Sequence, residues 1–221
     1  MSVTRHPDAA WLIDYACGNL SRGFELVVSA HLMACPVCTE QVRQAERLGA
    51  ELLLGGASAP PPRLTAAAVL EADARETTEP AWFSARFALR PAVQATNLQD
   101  FVDNYLDCGL SALPWRRAGR GLQIAKLRAD DRERLWVLRA APNTVLPRHT
   151  HEGSELTLVL KGAYFNGDTI YAAGDIEDAN ESTDHQPIVT RDGECICLAA
   201  TEGPLRFAGW TSRLAQRYLG I

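Results

Sequence analysis

No stretch of about 18 consecutive apolar residues occurs in the 221-residue sequence, so no segment is expected to span a membrane. The N-terminus, "MSVTRHPDAAWLIDYACGNL", has no basic region leading into an uninterrupted apolar run, and a secretory signal is not expected. There is no excess of positive charge. Against 22 Lys and Arg stand 27 Asp and Glu, a net charge of -5, which leaves no whole-chain reason to bind nucleic acid. These absences predict a cytoplasmic protein that neither enters a membrane nor binds DNA directly. In a reducing compartment its six cysteines are expected as metal ligands, redox sensors or core residues rather than as disulfides. Histidine is scarce too. The five, His6, His31, His149, His151 and His185, fall into two groups toward opposite ends of the chain, which points to assigned roles.

What is present divides the chain in two. A hydrophobic content of 47% is enough for a real core, and the length suits one large or two small domains. The first part reads as helical. "DAAWLIDYACGNL" carries a helical apolar stripe at Trp11, Leu12, Tyr15 and Ala16, with Asp8 to cap its start and Gly18-Asn19 to end it. "RGFELVVSAHLMA" repeats the pattern through Phe24, Val27, Val28, His31 and Leu32. In "PVCTEQVRQAERLGAELLL", Pro36 suits a first helical position, and Val42, Ala45, Leu48, Leu52 and Leu53 form an apolar face. "GGASAPPPR" breaks the helix, and "LTAAAVLEADA", residues 64–74, reads as a fourth. From about residue 100 the texture changes to short β-branched and aromatic runs punctuated by Gly, Asn, Asp and Pro, the pattern of an all-β sandwich or barrel. The expected organisation is a helical domain over residues 1–85, a linker over 86–99 and a β domain over 100–221.

The stretch "HLMACPVC" sets His31, Cys35 and Cys38 at H-x3-C-x2-C. Positions i, i+4 and i+7 share one face of a helix. Pro36 disfavours helical geometry at Cys35, so one helix should end near Ala34 and the next begin at Pro36. The three side chains would then converge at a helix–helix corner. Structural zinc takes four sulfur and nitrogen ligands, so a fourth is needed; His6 is the nearest histidine and Cys17 the alternative. A redox C-x2-C pair would lack the strand that leads into such motifs. A DNA-reading finger would need a different order of ligands. Residues 1–54 carry four Arg, no Lys and six Asp or Glu, about -2 in charge, which suits a basic protein partner better than DNA.

A short acidic helical module with an upstream His and H-x3-C-x2-C resembles the zinc-binding anti-sigma domain. The resemblance implies that His6, His31, Cys35 and Cys38 hold a structural zinc. It also implies that the helices clamp an extracytoplasmic-function sigma factor and keep it from core RNA polymerase.

The second group lies in "PRHTHEGSELTLVLKG", as His149-x-His151-x3-Glu155-x6-Gly162. In an extended segment both imidazoles point to one side, and Glu155 at the start of the next strand can reach the same point. His185 is the remaining histidine and the expected fourth ligand. Three imidazoles and a carboxylate suit zinc or another divalent transition metal; ligand type does not choose among them. The spacing resembles the first cupin motif, with Asn143 where the family has its first glycine. The turn at Tyr171 to Gly174 resembles the second motif without its proline. His185 follows Gly174 by eleven residues rather than three, across the acidic insertion "DIEDANESTD".

An anti-sigma module joined to a cupin-like domain resembles the anti-sigma factors of the ChrR type over nearly the whole chain, including "GDIEDANE" and "CICLAATEGPLRF". The resemblance implies a fold of two parts, a zinc-stapled helical bundle and a cupin-like β-barrel. It implies no catalytic residues, and release of the sigma factor when the barrel senses a signal, typically an oxidant such as singlet oxygen. Cys195 and Cys197, two apart on one strand face, are either inward-facing core or redox-sensing groups beside the metal. Cys17 and Cys108 read as core. The competing reading is a cupin-type dioxygenase or isomerase with an accessory helical zinc domain, which would need an open coordination position.

Overall fold

A computed structural model describes residues 3–55, 109–129 and 133–207, with positions 98, 100, 104 and 209. Residues 64–74, Cys108 and nearly all of the 86–99 linker lie outside the described residues.

Three helices open the chain: α1 (Ala9–Ala16), α2 (Arg22–Ala34) and α3 (Pro36–Gly55). Asp8 caps α1 by accepting a hydrogen bond from the Ala10 N–H at 2.9 Å, and Gly18 follows the helix with a φ of 69°. Cys35 has extended geometry (φ -118°, ψ 97°), so α2 stops there and Pro36 starts α3, as the proline predicts. The N-terminus of α2 lacks a capping bond from its own Ser21 side chain. The carboxylate of Glu133 takes that place, accepting from the Ser21 hydroxyl and from the Gly23 N–H at 2.9 Å. A carboxylate there meets exposed N–H groups and the positive end of the helix dipole.

After a 3-10 turn (Leu110–Ala112) come eleven described strands: β1 (Arg116–Gly119), β2 (Leu122–Ala129), β3 (Arg134–Ala140), β4 (His149–His151), β5 (Glu155–Lys161), β6 (Ala163–Asn166), β7 (Thr169–Ala172), β8 (Ile176–Ala179), β9 (Ile188–Val189), β10 (Cys195–Thr201) and β11 (Leu205–Phe207). They form a six-stranded sheet in the order β1-β2-β3-β10-β5-β8, a three-stranded sheet β7-β6-β9 and a two-stranded sheet β11-β4. Every described pairing is antiparallel. The expected cupin-like β domain is thus present, as a sandwich of separate sheets rather than a closed barrel. Pro147 and Pro187 flank the points where the small sheets meet and have no N–H to extend a ladder. The bridges Val145↔Ile188 and His149↔His185 supply the connection instead.

The central strands do not alternate between buried and exposed. β10 is buried at all seven positions. Strand geometry still sends alternate side chains to opposite faces, so both faces must be covered. Ile196, Leu198 and Ala200 of β10, Leu156, Leu158 and Leu160 of β5, and Leu135 and Val137 of β3 join one core with Phe24, Val27 and Val28 of α2. Cys195, Cys197 and Ala199 point the other way, into the sandwich. The helical part and the β part thus share one apolar core, with α2 lying on β5 and β10. The far half of α3 is different. Leu48, Leu52, Leu53 and Leu54 are 58%, 69%, 78% and 80% exposed, although the sequence places Leu48, Leu52 and Leu53 on an apolar face. Only Cys38 and Val42 of α3 are buried, because the helix runs past the elements it packs on.

Leu198 is fully buried where helix and sheet meet. The Leu198→Ala variant is expected to lose about 2–5 kcal/mol of stability. Because the core is shared, helical circular dichroism and tryptophan fluorescence should report the loss at one common midpoint; two separated midpoints would contradict the shared core.

Candidate metal centres

The first cluster is built by three elements. His31 ends the buried face of α2, Cys35 and Cys38 flank the α2–α3 corner, and His6 arrives from the N-terminal segment. His6 Nδ1 lies 3.3 Å from Cys35 Sγ and 3.4 Å from Cys38 Sγ, and His31 Nε2 lies 3.3 Å from Cys38 Sγ. Donors at about 2.3 Å (S) and 2.0–2.1 Å (N) from one tetrahedral ion stand about 3.5 Å apart, so these separations fit zinc. Cys35, Cys38 and His31 are buried and His6 is exposed. Cys17, the alternative fourth ligand, lies outside the cluster; it is exposed at the end of α1 and is not a core residue as expected.

The N-terminal segment reaches the cluster because the sheet holds it. Buried Asp175 accepts from the Thr4 N–H at 2.7 Å and the Arg5 N–H at 3.0 Å, and the Ile176 N–H donates to the Arg5 carbonyl at 3.2 Å. Asp178 accepts from the Asp8 N–H at 3.1 Å and from Trp11 Nε1 at 3.0 Å. His31 Nδ1 stands 2.8 Å from the Gly174 carbonyl, an arrangement that directs its Nε2 lone pair at the thiols. At Gly174 φ is +94°, and a Cβ would come within 2.9 Å of Val3 and 3.3 Å of Ala34. A side chain there would push the turn off the helix end.

In the second cluster the three histidines converge by their Nε2 atoms: His149 to His185 at 3.0 Å and His151 to His185 at 3.1 Å. Reciprocal backbone bonds of 3.1 Å pair His149 with His185 across the isolated bridge. That bridge absorbs the acidic insertion and sets His185 opposite the H-x-H strand. Asn143 has a φ of 59°, the left-handed region that asparagine tolerates better than other side chains, which explains its place at a motif glycine. Outer partners orient the rings. His149 Nδ1 faces the Pro147 carbonyl at 2.9 Å, and His185 Nδ1 faces Glu177 Oε1 at 2.9 Å. Glu155 is buried and stands beside the cluster, with Oε2 3.4 Å from His151 Nδ1 and Oε1 accepting from Thr157 at 3.0 Å. It is not among the mutually close donors. His151 Nδ1 and Glu155 Oε2 are buried and face each other without forming a hydrogen bond.

Burial and neighbouring charges shift the titration of groups in both clusters. Burial lowers the His149 pKa below the ordinary imidazole range and keeps it neutral, as a ligand must be. Burial would raise Glu155, but the adjacent His151, with His149 and His185, holds it below the usual carboxylate range. Burial would lower His185, and the bonded Glu177 carboxylate reverses the shift. Burial and the neighbouring Cys35 push the Cys38 thiol up to about 12.

Glu177 is the site residue that sequence reasoning missed. It is buried on β8 and gathers Tyr164 Oη at 2.5 Å, Asn166 Nδ2 at 2.5 Å and His185. The available signal was weak: Glu177 stands between Ile176 and the acidic Asp178 in a run of acids. Cys195 and Cys197 line the same cavity with their sulfurs 3.6 Å apart. The hydrogen bond from Cys195, together with burial, pushes the Cys197 thiol well above its usual range, so it is a poor thiolate.

Comparison with known proteins places these features in context. Residues 106–205 match the family described as ChrR cupin-like domain. The anti-sigma-E factor ChrR of Cereibacter sphaeroides is 34% identical over 221 residues, covering 100% of both chains. The crystal structure of Rhodobacter sphaeroides SigE in complex with the anti-sigma ChrR superposes with a TM-score of 0.66 at 30% identity, covering 91% of this chain and 100% of that one.

Two outcomes follow. Glu177→Gln should weaken metal retention at the three-histidine cluster by about 10–100-fold, measured with a competing chelator, with the Cys/His cluster unaffected. Metal at the Cys/His cluster displaces thiol protons, so acidification from neutral to about pH 5 should release it; unchanged occupancy across that range would count against thiolate ligation.

Proposed function

The chain belongs to the family of ChrR anti-sigma factors, and from that membership we propose how its two clusters serve sequestration of a sigma factor. It sequesters an extracytoplasmic-function sigma factor and is a regulator rather than an enzyme. Residues 1–85 form the unit that holds the sigma factor, and residues 100–221 the unit that senses. The work is cytoplasmic, where RNA polymerase is.

Zinc at His6, His31, Cys35 and Cys38 fixes the N-terminal segment and the α2–α3 corner as one body. The donor set, two thiolates and two imidazoles, is the observation that carries this. The exposed leucines of α3 are the surface that such a body offers, and the complex of the relative ChrR with SigE argues for a sigma factor as its occupant. Burying one leucine contributes about 1.5–3 kcal/mol.

The second cluster holds zinc or another divalent transition metal through His149, His151 and His185, with Glu155 as fourth ligand. The burial of Glu155 beside the histidine cluster supports that role. A signal there, an oxidant by family resemblance, reaches the helices through residues 174–178. Glu177 holds His185, while Gly174, Asp175, Ile176 and Asp178 hold His31 and the N-terminal segment. Turning a 99:1 bound population to 1:99 needs about 5.5 kcal/mol of differential interaction, within reach of losing a metal or its ligand. Cys195 and Cys197 serve as wall rather than as sensor in this reading.

Copurification with the cognate sigma factor tests the first link. Cys35→Ser with Cys38→Ser should abolish the complex and the bound zinc. Leu48→Asp with Leu52→Asp should weaken the complex at least tenfold while zinc content and helical signal stay. Undiminished binding by the double cysteine variant would refute the reading.

A further inference from the structure

The three-stranded sheet carries an apolar row on its outer face. Register places Ile170 of β7 beside Phe165 of β6, Phe165 beside Ile188 of β9, and Ile188 beside Val145 across an isolated bridge. Residues opposite one another in such pairs project from the same face of a sheet. Their chain neighbours Tyr164, Tyr171 and Val189 take the inner face: Tyr164 and Val189 are buried, and the Tyr164 and Tyr171 rings stack at 5.3 Å. The four row residues stay 41–53% exposed. Single exposed apolar side chains are ordinary; four aligned across one sheet form a patch.

The surroundings narrow what can cover them. The larger sheet gives its outer face to α2, whereas this face of β6, β7 and β9 is left bare. Extension of the sheet through the β7 edge is hindered, because Ala172 already donates its N–H to Asp175 Oδ2 at 2.9 Å and accepts from the Asp175 N–H at 2.8 Å. A partner must therefore meet the face rather than the edge. The row holds no charged side chain and is flanked on the same strands by Ala163, Ala172 and, next to β9, Gln186. Arg148 and Asp184, beside the neighbouring bridge, neutralise each other through two bonds of 2.9 Å. A chain of net charge -5 repels a copy of itself over most approaches, and an uncharged face is where that repulsion is least.

The row is also self-complementary. A two-fold axis parallel to the strands, between Phe165 and Ile188, sets Phe165 against Ile188 of the second copy and Ile170 against Val145 of the second copy. Each contact then recurs with the partners exchanged, as a closed dimer requires. The one aromatic ring meets an aliphatic side chain rather than its own image. Strands about 4.8 Å apart make the row about 14 Å long. A face of that size offers roughly 400 Å² per copy, within the range of patches that mark contact sites. Two copies would bury roughly 800 Å², which suits a reversible contact and not a permanent one.

We propose that the outer face of β7-β6-β9 joins two copies of this chain in a reversible two-fold dimer, with Phe165 and Ile188 at its centre. The contact involves neither metal cluster directly, yet it bears on the second. The Val145–Ile188 bridge continues, through the bond of 2.9 Å from the Leu146 N–H to the Pro187 carbonyl, into the His149–His185 bridge. Clamping the first bridge in a dimer steadies the two segments that carry His149 and His185.

Sedimentation equilibrium of the full chain from about 5 to 500 µM is the test, and a monomer–dimer equilibrium with a Kd of about 10–100 µM is expected. Phe165→Asp with Ile188→Asp should weaken dimerisation at least tenfold with the β-sheet circular dichroism unchanged, both positions being exposed. Phe165→Ser with Ile170→Ser, a milder change, should act in the same direction. Leu48→Asp with Leu52→Asp should dimerise like the native chain, because α3 supplies no residue to the contact. Under a bismaleimide, a mixture of Val145→Cys and Ile170→Cys chains should cross-link at least tenfold more than either chain alone. A native chain that stays monomeric over the whole range, a dimer undiminished in both row variants, a dimer lost in the α3 variant, or equal cross-linking of like and unlike chains would each overturn the proposal.

Discussion

The structure turns on the five residues from Gly174 to Asp178, which tie two clusters together. Strand geometry sends alternate side chains to opposite faces. Ile176 and Asp178 therefore face the helices, and Glu177 faces the cavity. On the helix side this segment takes the His31 ring and the backbone of Thr4, Arg5 and Asp8; on the cavity side it takes the His185 ring. Displacing Glu177 along the strand would disturb bonds on both sides. No long-range wire is needed, because the two histidines are held by residues three apart in sequence.

The same segment accounts for the acidic insertion that separates this chain from an ordinary cupin pattern. Asp175 and Asp178 neutralise orphan N–H groups of an N-terminal stretch that would otherwise have no fixed place. Glu177 fixes a ring nitrogen so that the opposite one carries the lone pair. Each acid thus has a hydrogen-bonding task, and the three lie next to each other because a short strand reaches both faces.

Much of this was legible in the sequence, for physical reasons. Helix starts and stops at Asp8, Cys35 and Pro36 follow from local sterics and capping, which need no tertiary information. The grouping of His31, Cys35 and Cys38, and of His149 with His151, follows from spacing on a helix corner and a strand, whereas His6 was expected only as the nearest histidine and by resemblance. What depends on long-range pairing was not legible. The place of His185 is set by a backbone bridge to His149, and the role of Glu177 by register across a sheet. The two-sided burial of β10 reflects a helix docked from far away in sequence. The apolar stripe of α3 predicted burial, yet a stripe cannot say whether the partner lies in the same chain. The strand pattern left sandwich and barrel open and the resemblance implied a barrel; the described strands form separate sheets joined at their junctions by single bridges.

The central claim is that metal at the Cys/His corner holds the helices and the N-terminal segment as one body. Following helical circular dichroism and bound metal together, while a strong chelator strips the purified full chain, tests it most directly. The account predicts about one metal equivalent lost in step with a fall in helical signal, both restored by zinc. A helical signal unmoved after complete removal of metal would contradict it.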